Sequence, residues 1–299
     1  MRIERLAGVV VGALAAAGCG SGAQAPPSVV EQAQRVVVMA PAAAEMVVEL
    51  GAADSVVGVG DFVSGLAPLA ELPRVGAYNA PNAERVLELR ANLFLTAASA
   101  AAAESHRRLE ALGIAVVPLD TSTHDGVFVS LATIGRLLGR EERARALARE
   151  MRQRIAAIRR TATDLPRRRV LFVVGRDPLF VAGPGSHIDE MIGLVGGVNV
   201  LADALSPYER ASLEVVLERL PEIIIDCSDN RRTAARGRDG GDWSRWEFLP
   251  AVQRGRVYQV EPSRLVIPGI RLPEMTLLMG KLVQPEAFGE PAPSEMGQP

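Results

Sequence analysis

Residues 140–161 read REERARALAREMRQRIAAIRRT, an uninterrupted stretch without glycine or proline that is dense in residues of high helix propensity. The apolar residues of this stretch recur at helical spacing and define one face: Ala144, Leu147, Ala148, Met151 and Ile155. At 1.5 Å per residue, a helix of this length would extend ~33 Å, which is enough to cross from one lobe to another. The sequence therefore predicts one long connecting helix.

On both sides of this helix, short apolar runs alternate with helical patterns, which is typical of βα units around mainly parallel sheets. We predict a first α/β lobe over residues 35–139, with strands at Arg35–Met39, Val56–Val59, Leu93–Thr96 and Ala115–Leu119, and helices at Ala43–Leu50, Asn82–Leu89 and Ala101–Leu112. We predict a second α/β lobe over residues 162–284, with strands at Val170–Val174, Ile223–Asp226 and Arg256–Val260, and helices at Ile188–Val195, Ser212–Leu220 and Ile270–Leu282.

The N-terminal residues have the pattern of a secretory signal. Residues 1–18 carry two arginines ahead of an apolar stretch that is shorter than the ~20 residues needed to span a bilayer core. The run AAGC at residues 16–19 resembles a lipobox, so we expect acylation of Cys19 and a flexible linker over residues 19–34. Ordinary signal-peptidase cleavage without lipid is the alternative.

Three other features of the chain lead to local predictions. Residues 231–242 are rich in arginine, glycine and aspartate and are predicted to form a solvated loop, and residues 285–299 are predicted to form a disordered tail. Cys227 lies in an apolar run and is predicted to be a buried small hydrophobe. If Cys19 carries lipid, Cys227 has no partner for an intramolecular disulfide.

The composition excludes several classes of function. A chain of 299 residues can bury two cores, and a net charge of only −2 gives no reason to expect nucleic acid as a partner. The three histidines lack zinc-type spacing, and no nucleophile-elbow or phosphate-loop motif is present. We therefore predict that the chain is not an enzyme and has no resident metal; an extracytoplasmic hydrolase is the alternative of another class.

One sequence element occurs at matching places in the two predicted lobes. NAERVLE at residues 82–88 and SLEVVLE at residues 212–218 both read as a capping residue, any residue, Glu, any residue, Val-Leu-Glu. Glu84 and Glu214 then lie in the first helical turn, where a carboxylate complements the helix dipole by about 0.3–1 kcal/mol. The second interpretation is that the two carboxylates protrude, one per lobe, and dock into two basic pockets of a partner.

Further motifs link the chain to a known family: VG at residues 75–76, Pro118, GPGSHIDE at 183–190, GGVN at 196–199 and GRVY at 255–258. Together with the repeated element, and over about residues 35–288, they resemble the vitamin B12 and iron-siderophore branch of periplasmic binding proteins. The resemblance implies an α/β fold of two Rossmann-like lobes joined by a single long helix, with the ligand cleft between the lobes. It also implies that Glu84 and Glu214 engage arginines of a permease.

Members of this family hold the ligand in the cleft mainly with aromatic side chains, so the resemblance implies four ligand contacts: Phe62, Tyr78, Phe180 and Tyr208. Relatives often have tyrosine at the position of Phe62 and tryptophan at that of Tyr208. Core packing is the alternative role for each of the four. Arg176 and Arg264 lie in loops expected at the cleft and are predicted to pair with phosphate or carboxylate groups.

His187 has two interpretations. In haem-binding relatives a tyrosine or histidine can ligate iron, and an imidazole could also reach the cobalt of a corrin. The second interpretation is a partly exposed residue in the first turn of a helix, because His187 follows Gly-Pro-Gly-Ser.

The resemblance implies a substrate-binding lipoprotein of an ABC importer that captures cobalamin and delivers it to a permease with its ATPase. It implies a monomer, periplasmic or at the cell surface, held to the membrane only by the lipid anchor, with no cofactor besides the transported ligand. The alternatives within the fold are a ferric siderophore, haem or a metal oxyanion as cargo. A receptor component that only signals is a further alternative.

Overall fold

The computed structural model describes residues 35–228 and 243–297. The predictions about the signal at 1–18, the lipidation of Cys19, the linker at 19–34 and the loop at 231–242 lie outside the described residues. Among the described residues, no helix is both long enough and apolar enough to cross a membrane.

The first lobe contains a parallel sheet with the strand order β2-β1-β5-β6. Most of its strand residues are buried valine, leucine and phenylalanine, as a sheet covered on both faces requires. The elements in chain order are β1 (Val36–Val38), α1 (Pro41–Glu49), β2 (Val56–Val59), the hairpin β3 (Gly76–Ala77) and β4 (Ala80–Pro81), α2 (Ala83–Glu88), β5 (Leu93–Ala97), α3 (Ala103–Ala111) and β6 (Ala115–Leu119).

A helix that the sequence reasoning missed follows the first sheet. This helix, α4 (His124–Leu137), begins at Thr123, whose side-chain oxygen accepts a hydrogen bond from the backbone N–H of Gly126 at 3.0 Å. Valine, threonine and glycine lower its helix propensity, so tertiary packing stabilises it: Leu131 and Ile134 are fully buried.

The long helix α5 (Glu141–Thr161) is a single element and packs on both lobes. All five residues of its predicted apolar face are buried, together with Ile158. Toward the first lobe it contacts α4, and Arg143 pairs with Glu49 at 2.5 Å. Toward the second lobe, Arg154 pairs with Glu274 at 2.6 Å. The prediction that one long helix joins two α/β lobes is confirmed.

The second lobe contains a mixed sheet with the strand order β10-β8-β7-β11-β12, and β9 pairs with the first half of β7. Antiparallel pairing of β8 with β7 and β10, which the sequence reasoning did not predict, extends the sheet on one side. The elements are β7 (Arg168–Arg176), β8 (Leu179–Ala182), α6 (His187–Leu194), β9 (Gly197–Asn199), β10 (Tyr208–Arg210), α7 (Leu213–Glu218), β11 (Ile223–Asp226), α8 (Pro250–Gln253), β12 (Val257–Gln259), α9 (Pro262–Leu265) and α10 (Leu272–Val283).

The prediction of disorder after residue 284 is wrong for the described part of that segment. Residues 285–297 form α11 (Pro285–Phe288) and a 3-10 turn at Pro293–Met296. The ring of Phe288 packs against Gly280 of α10, and Lys281 pairs with Glu295 at 2.7 Å. These contacts hold the segment against the second lobe.

Candidate ligand-binding cleft

Loops at the carboxyl end of the first sheet contact segments of the second lobe at a junction between the lobes. The backbone N–H of His187, at the start of α6, donates to the carbonyl oxygen of Ser122, which follows β6, at 2.8 Å. A second contact pairs Glu45 of α1 with Arg271, just before α10, at 3.0 Å. In α/β proteins ligands bind at the carboxyl ends of the strands, so the space beside this junction is the candidate ligand-binding cleft.

On the first lobe, two exposed aromatic side chains stand at the carboxyl end of the sheet. Phe62 follows β2, and Tyr78 lies at the tip of the β3–β4 hairpin. The hairpin is tied to the Phe62 loop because the N–H of Asp61 donates to the carbonyl of Gly76 at 3.1 Å. Gly76 has a φ of 99°, and a Cβ there would stand 2.9 Å from the carbonyl oxygen of Ala80, so the hairpin needs glycine at this position.

On the second lobe, Phe180 and Tyr208 occupy adjacent strands. The antiparallel register places Tyr208 opposite Ala182 and Arg210 opposite Phe180, so Phe180 and Tyr208 are diagonal neighbours on one face of the sheet. The exposed fractions of the four predicted aromatics are 62% for Phe62, 41% for Tyr78, 38% for Phe180 and 39% for Tyr208. Core packing is therefore not their role.

His187 is buried, with an exposed fraction of 1%, so the expectation of a partly exposed first-turn residue is wrong on exposure. It does begin α6, which Ser186 caps by accepting from the N–H of Asp189 at 3.1 Å. Its Nε2 lies 3.1 Å from the carbonyl oxygen of Leu265, and its Nδ1 lies 3.3 Å from the hydroxyl of Tyr208. With both ring nitrogens occupied, His187 does not present a free ligand to a metal in the cleft.

Burial determines the protonation states of His187, Tyr208 and the nearby His124. Desolvation lowers the pKa of His187 to about 4, against an ordinary value of 6.5, and raises the pKa of Tyr208 to about 12. Desolvation also lowers the pKa of His124, which lies beside Glu190, to about 4. At neutral pH both imidazoles are uncharged. The described residues contain no group of three or more His, Cys, Asp or Glu side chains placed to hold a metal ion.

Arg176 does not play the predicted role of pairing with ligand groups. Its side chain is nearly buried and its Nε donates to Asp226 at 2.5 Å, so the guanidinium is part of the second lobe's interior. Arg264 is exposed, with a long contact of 3.9 Å to Glu261 at the same surface. Its predicted role stays a prediction.

A polar cluster around Asp226 was missed by the sequence reasoning. Besides Arg176, the fully buried carboxylate accepts hydrogen bonds from the indole Nε1 of Trp243 at 2.9 Å and from the hydroxyl of Ser228 at 2.5 Å. An aspartate at the end of an apolar strand was the available signal. The neighbouring Cys227 is buried as predicted, and desolvation raises the pKa of its thiol well above the ordinary value.

The repeated element has the same structure in both lobes. Asn82 and Ser212 each cap a six-residue helix by accepting from the N–H three residues later, at 3.0 and 3.3 Å. Two residues after each helix ends, a non-glycine residue has a positive φ, 51° at Arg90 and 46° at Leu220, and the chain then enters β5 or β11. A shared backbone strain at equivalent positions strengthens the case for a repeat.

Glu84 and Glu214 are both exposed at the starts of these two helices, and neither forms an ion pair with another described residue. A hollow of about 330 Å³ lies beside Glu84, lined by Pro81, Asn82, Ala83, Ser105, Arg108 and Leu109. The hollow lies between α2 and α3, and none of the four aromatic side chains lines it.

A family model described as periplasmic binding protein matches residues 36–263. The chain belongs to the periplasmic binding protein family. This binding protein is 26% identical, over 267 residues, to an uncharacterized ABC transporter substrate-binding lipoprotein of Bacillus subtilis, YvrC; the match covers 87% of the chain and 83% of the relative.

Two solved structures similar to this periplasmic binding protein have different ligands in their names. The periplasmic vitamin B12 binding protein BtuF of Vibrio cholerae superposes with a TM-score of 0.73 at 25% identity, covering 85% of this chain and 97% of that one. A periplasmic haem-binding protein from Pseudomonas aeruginosa superposes with a TM-score of 0.70 at 26% identity, covering 85% and 94%.

Proposed function

We propose that this periplasmic binding protein captures cobalamin between its lobes and delivers it to the permease of an ABC importer. The observation that carries the proposal is a set of four exposed aromatic side chains, two at the carboxyl edge of the first sheet and two on strands β8 and β10 at one edge of the second. Aromatic rings at these edges suit a large, flat and partly apolar ligand such as a corrin. The similarity to the vitamin B12 binding protein supports this choice of cargo.

Haem is the second candidate, and a specific side chain favours it. Tyr78 lies at the tip of the β3–β4 hairpin and is 41% exposed. Tyrosine is one of the residues that hold haem iron in proteins. The similarity to a haem-binding structure supports the same alternative.

Docking on the permease is proposed to use Glu84 and Glu214. Both side chains are exposed, and neither forms an ion pair within residues 35–228 and 243–297. Both lie on the same structural element of their lobe, which fits two arginine-bearing sites on a pseudo-symmetric partner. Charges of this type set register and association rate more than affinity. The hollow beside Glu84 offers room for a partner side chain.

The proposed location rests on the sequence pattern at the N-terminus. The lipobox-like run ending at Cys19 supports a lipid anchor, which would hold the protein, as a monomer, outside the cytoplasmic membrane. Cells that express the protein can be labelled with a clickable fatty acid to test the lipid anchor. We expect labelling of the wild type and none of the control, Cys19→Ser.

The identity of the cargo is tested by visible absorbance. The purified protein is mixed with cyanocobalamin, haemin or a ferric siderophore, desalted, and its visible spectrum recorded. We expect retention of cyanocobalamin at one equivalent. Retention of haemin or the siderophore alone would move the assignment to that cargo, and retention of none of the three would contradict the proposed function.

A further inference from the structure

The hydrogen bonds of His187 connect the cleft to the junction between the lobes. The side chain contacts the second lobe on both sides, through Tyr208 and Leu265, and its backbone N–H reaches Ser122 of the first lobe. Tyr208 is the cleft aromatic that is tied to this junction. The position of its ring is therefore coupled to the place where the two lobes meet.

The partners of the imidazole fix its tautomer. The carbonyl oxygen of Leu265 can only accept, so Nε2, at 3.1 Å, must carry the proton. In the neutral ring Nδ1 is then an acceptor, and the hydroxyl of Tyr208 must donate to it at 3.3 Å. The phenol proton is committed to the protein interior rather than to a ligand.

We propose that His187 is a positioning and specificity-determining residue, which holds Tyr208 as a neutral ring surface for stacking and withholds its hydroxyl from ligation of a ligand's metal. The proposal rests on the proposed function. A phenol must lose its proton to become a strong oxygen ligand to Fe(III), and transfer of that proton to Nδ1 is unfavourable because desolvation raises the pKa of Tyr208 and lowers the pKa of His187 to about 4. Tyr208 then selects flat macrocycles by ring contact.

The two hydrogen bonds can be removed separately. In His187→Asn, the amide oxygen can occupy the Nδ1 position and accept from Tyr208, while the contact with Leu265 is lost. In His187→Gln, the amide N–H can occupy the Nε2 position and donate to Leu265, while the acceptor for Tyr208 is lost. Tyr208→Phe removes the same hydrogen bond from the other side.

Affinity for cyanocobalamin and haemin is measured by absorbance titration for these three variants and for His187→Gln combined with Tyr208→Phe. Without this hydrogen bond the ring must be ordered on binding, at a cost of about the net free energy of one hydrogen bond, which corresponds to about a fivefold weaker affinity. We expect that loss in His187→Gln, in Tyr208→Phe and, without further increase, in the double variant. His187→Asn is expected to bind within twofold of the wild type while melting at a lower temperature.

Equal loss of affinity in His187→Asn and His187→Gln would show a merely structural role and overturn the inference, as would wild-type affinity in Tyr208→Phe. The haemin-loaded wild type and Tyr208→Phe are expected to have identical visible spectra; disappearance of a phenolate-to-iron band in the variant would also overturn it.

One readout is independent of any ligand. Long-range ¹⁵N–¹H spectra of the unliganded protein are expected to show the Nε2–H tautomer for His187, with an Nδ1 shift that changes in Tyr208→Phe. A proton on Nδ1 would refute the proposed geometry. If neither probe binds the wild type while the spectra agree, the proposed cargo is wrong and the positioning geometry stands.

Discussion

Removal of the Asp226 carboxylate should strongly destabilise the second lobe. Asp226 is fully buried, and besides its pairing with Arg176 it accepts from Trp243 at 2.9 Å and from the N–H of Ser228 at 3.0 Å. In Asp226→Ala the nearly buried guanidinium loses this carboxylate. Breaking a buried pair from one side costs about 3–5 kcal/mol, which at about 2–4 °C per kcal/mol for a chain of this size lowers the melting temperature by about 6–20 °C.

The assay is thermal unfolding followed by circular dichroism, with two comparison variants. Asp226→Ala combined with Arg176→Met removes both charges and should recover part of the loss, because no buried cation is left behind. Asp203→Ala is the matched control: it removes the carboxylate of a similar pair with Arg219, at 2.6 Å, that is exposed to solvent. A melting temperature of Asp226→Ala no lower than that of Asp203→Ala would refute the reasoning.

Three further predictions concern docking, pH and the C-terminal segment. Replacement of both Glu84 and Glu214 by arginine should reduce cellular uptake of the cargo at least ~tenfold while the affinity of the purified protein stays within about twofold; equal loss of both would contradict a docking role. Because burial lowers the folded-state pKa values of His124 and His187 to about 4 from 6.5, the unfolded chain binds protons first as pH falls. Stability should therefore decrease between about pH 6.5 and pH 4, and a flat melting temperature over that range would refute this. Deletion of residues 285–297 should lower the melting temperature by about 5 °C, because it removes the contacts that cover α10; no change in a melting scan would show that the segment is not packed in solution.

Most of the fold could be predicted because its signals are local. Parallel strands buried on both faces appear as continuous apolar runs, such as Ile223–Asp226, whose predicted and observed bounds coincide. The long helix could be predicted from one apolar face with no interruption. The repeated helix starts were recognisable because Asn82 and Ser212 are capping residues at the same spacing from a glutamate.

The missed elements depend on tertiary contacts. The helix α4 contains valine, threonine and glycine, and its stability comes from packing against α5, which its own sequence does not reveal. The strands β8 and β10 are short and exist by pairing with each other and with β7. The segment after residue 284 has a disorder-like composition, yet Lys281 and Phe288 attach it to the second lobe.

The same reasoning explains the outcome at the site. The exposure of Phe62, Tyr78, Phe180 and Tyr208 agrees with the ligand contacts that the family resemblance implies, and those contacts stay a prediction. The ion pair of Arg176 could not be predicted, because its partner Asp226 is distant in sequence and the two residues meet only when β7 and β11 pair.

The central claim is that aromatic rings from both lobes hold one flat ligand between them, and affinity measurements on three single variants test it most directly. Titration of Tyr78→Ala and Tyr208→Ala with cyanocobalamin should show an affinity about tenfold or more below that of the wild type, since each ring loses its stacking contact. Phe248→Ala is the control, because Phe248 is an exposed aromatic far from the proposed cleft. It lies just before α8, and the backbone N–H of Ala251 in α8 donates to the carbonyl of Pro221 at the opposite, amino edge of the second sheet. The claim predicts no change in the control, and wild-type affinity in both tyrosine variants would contradict it.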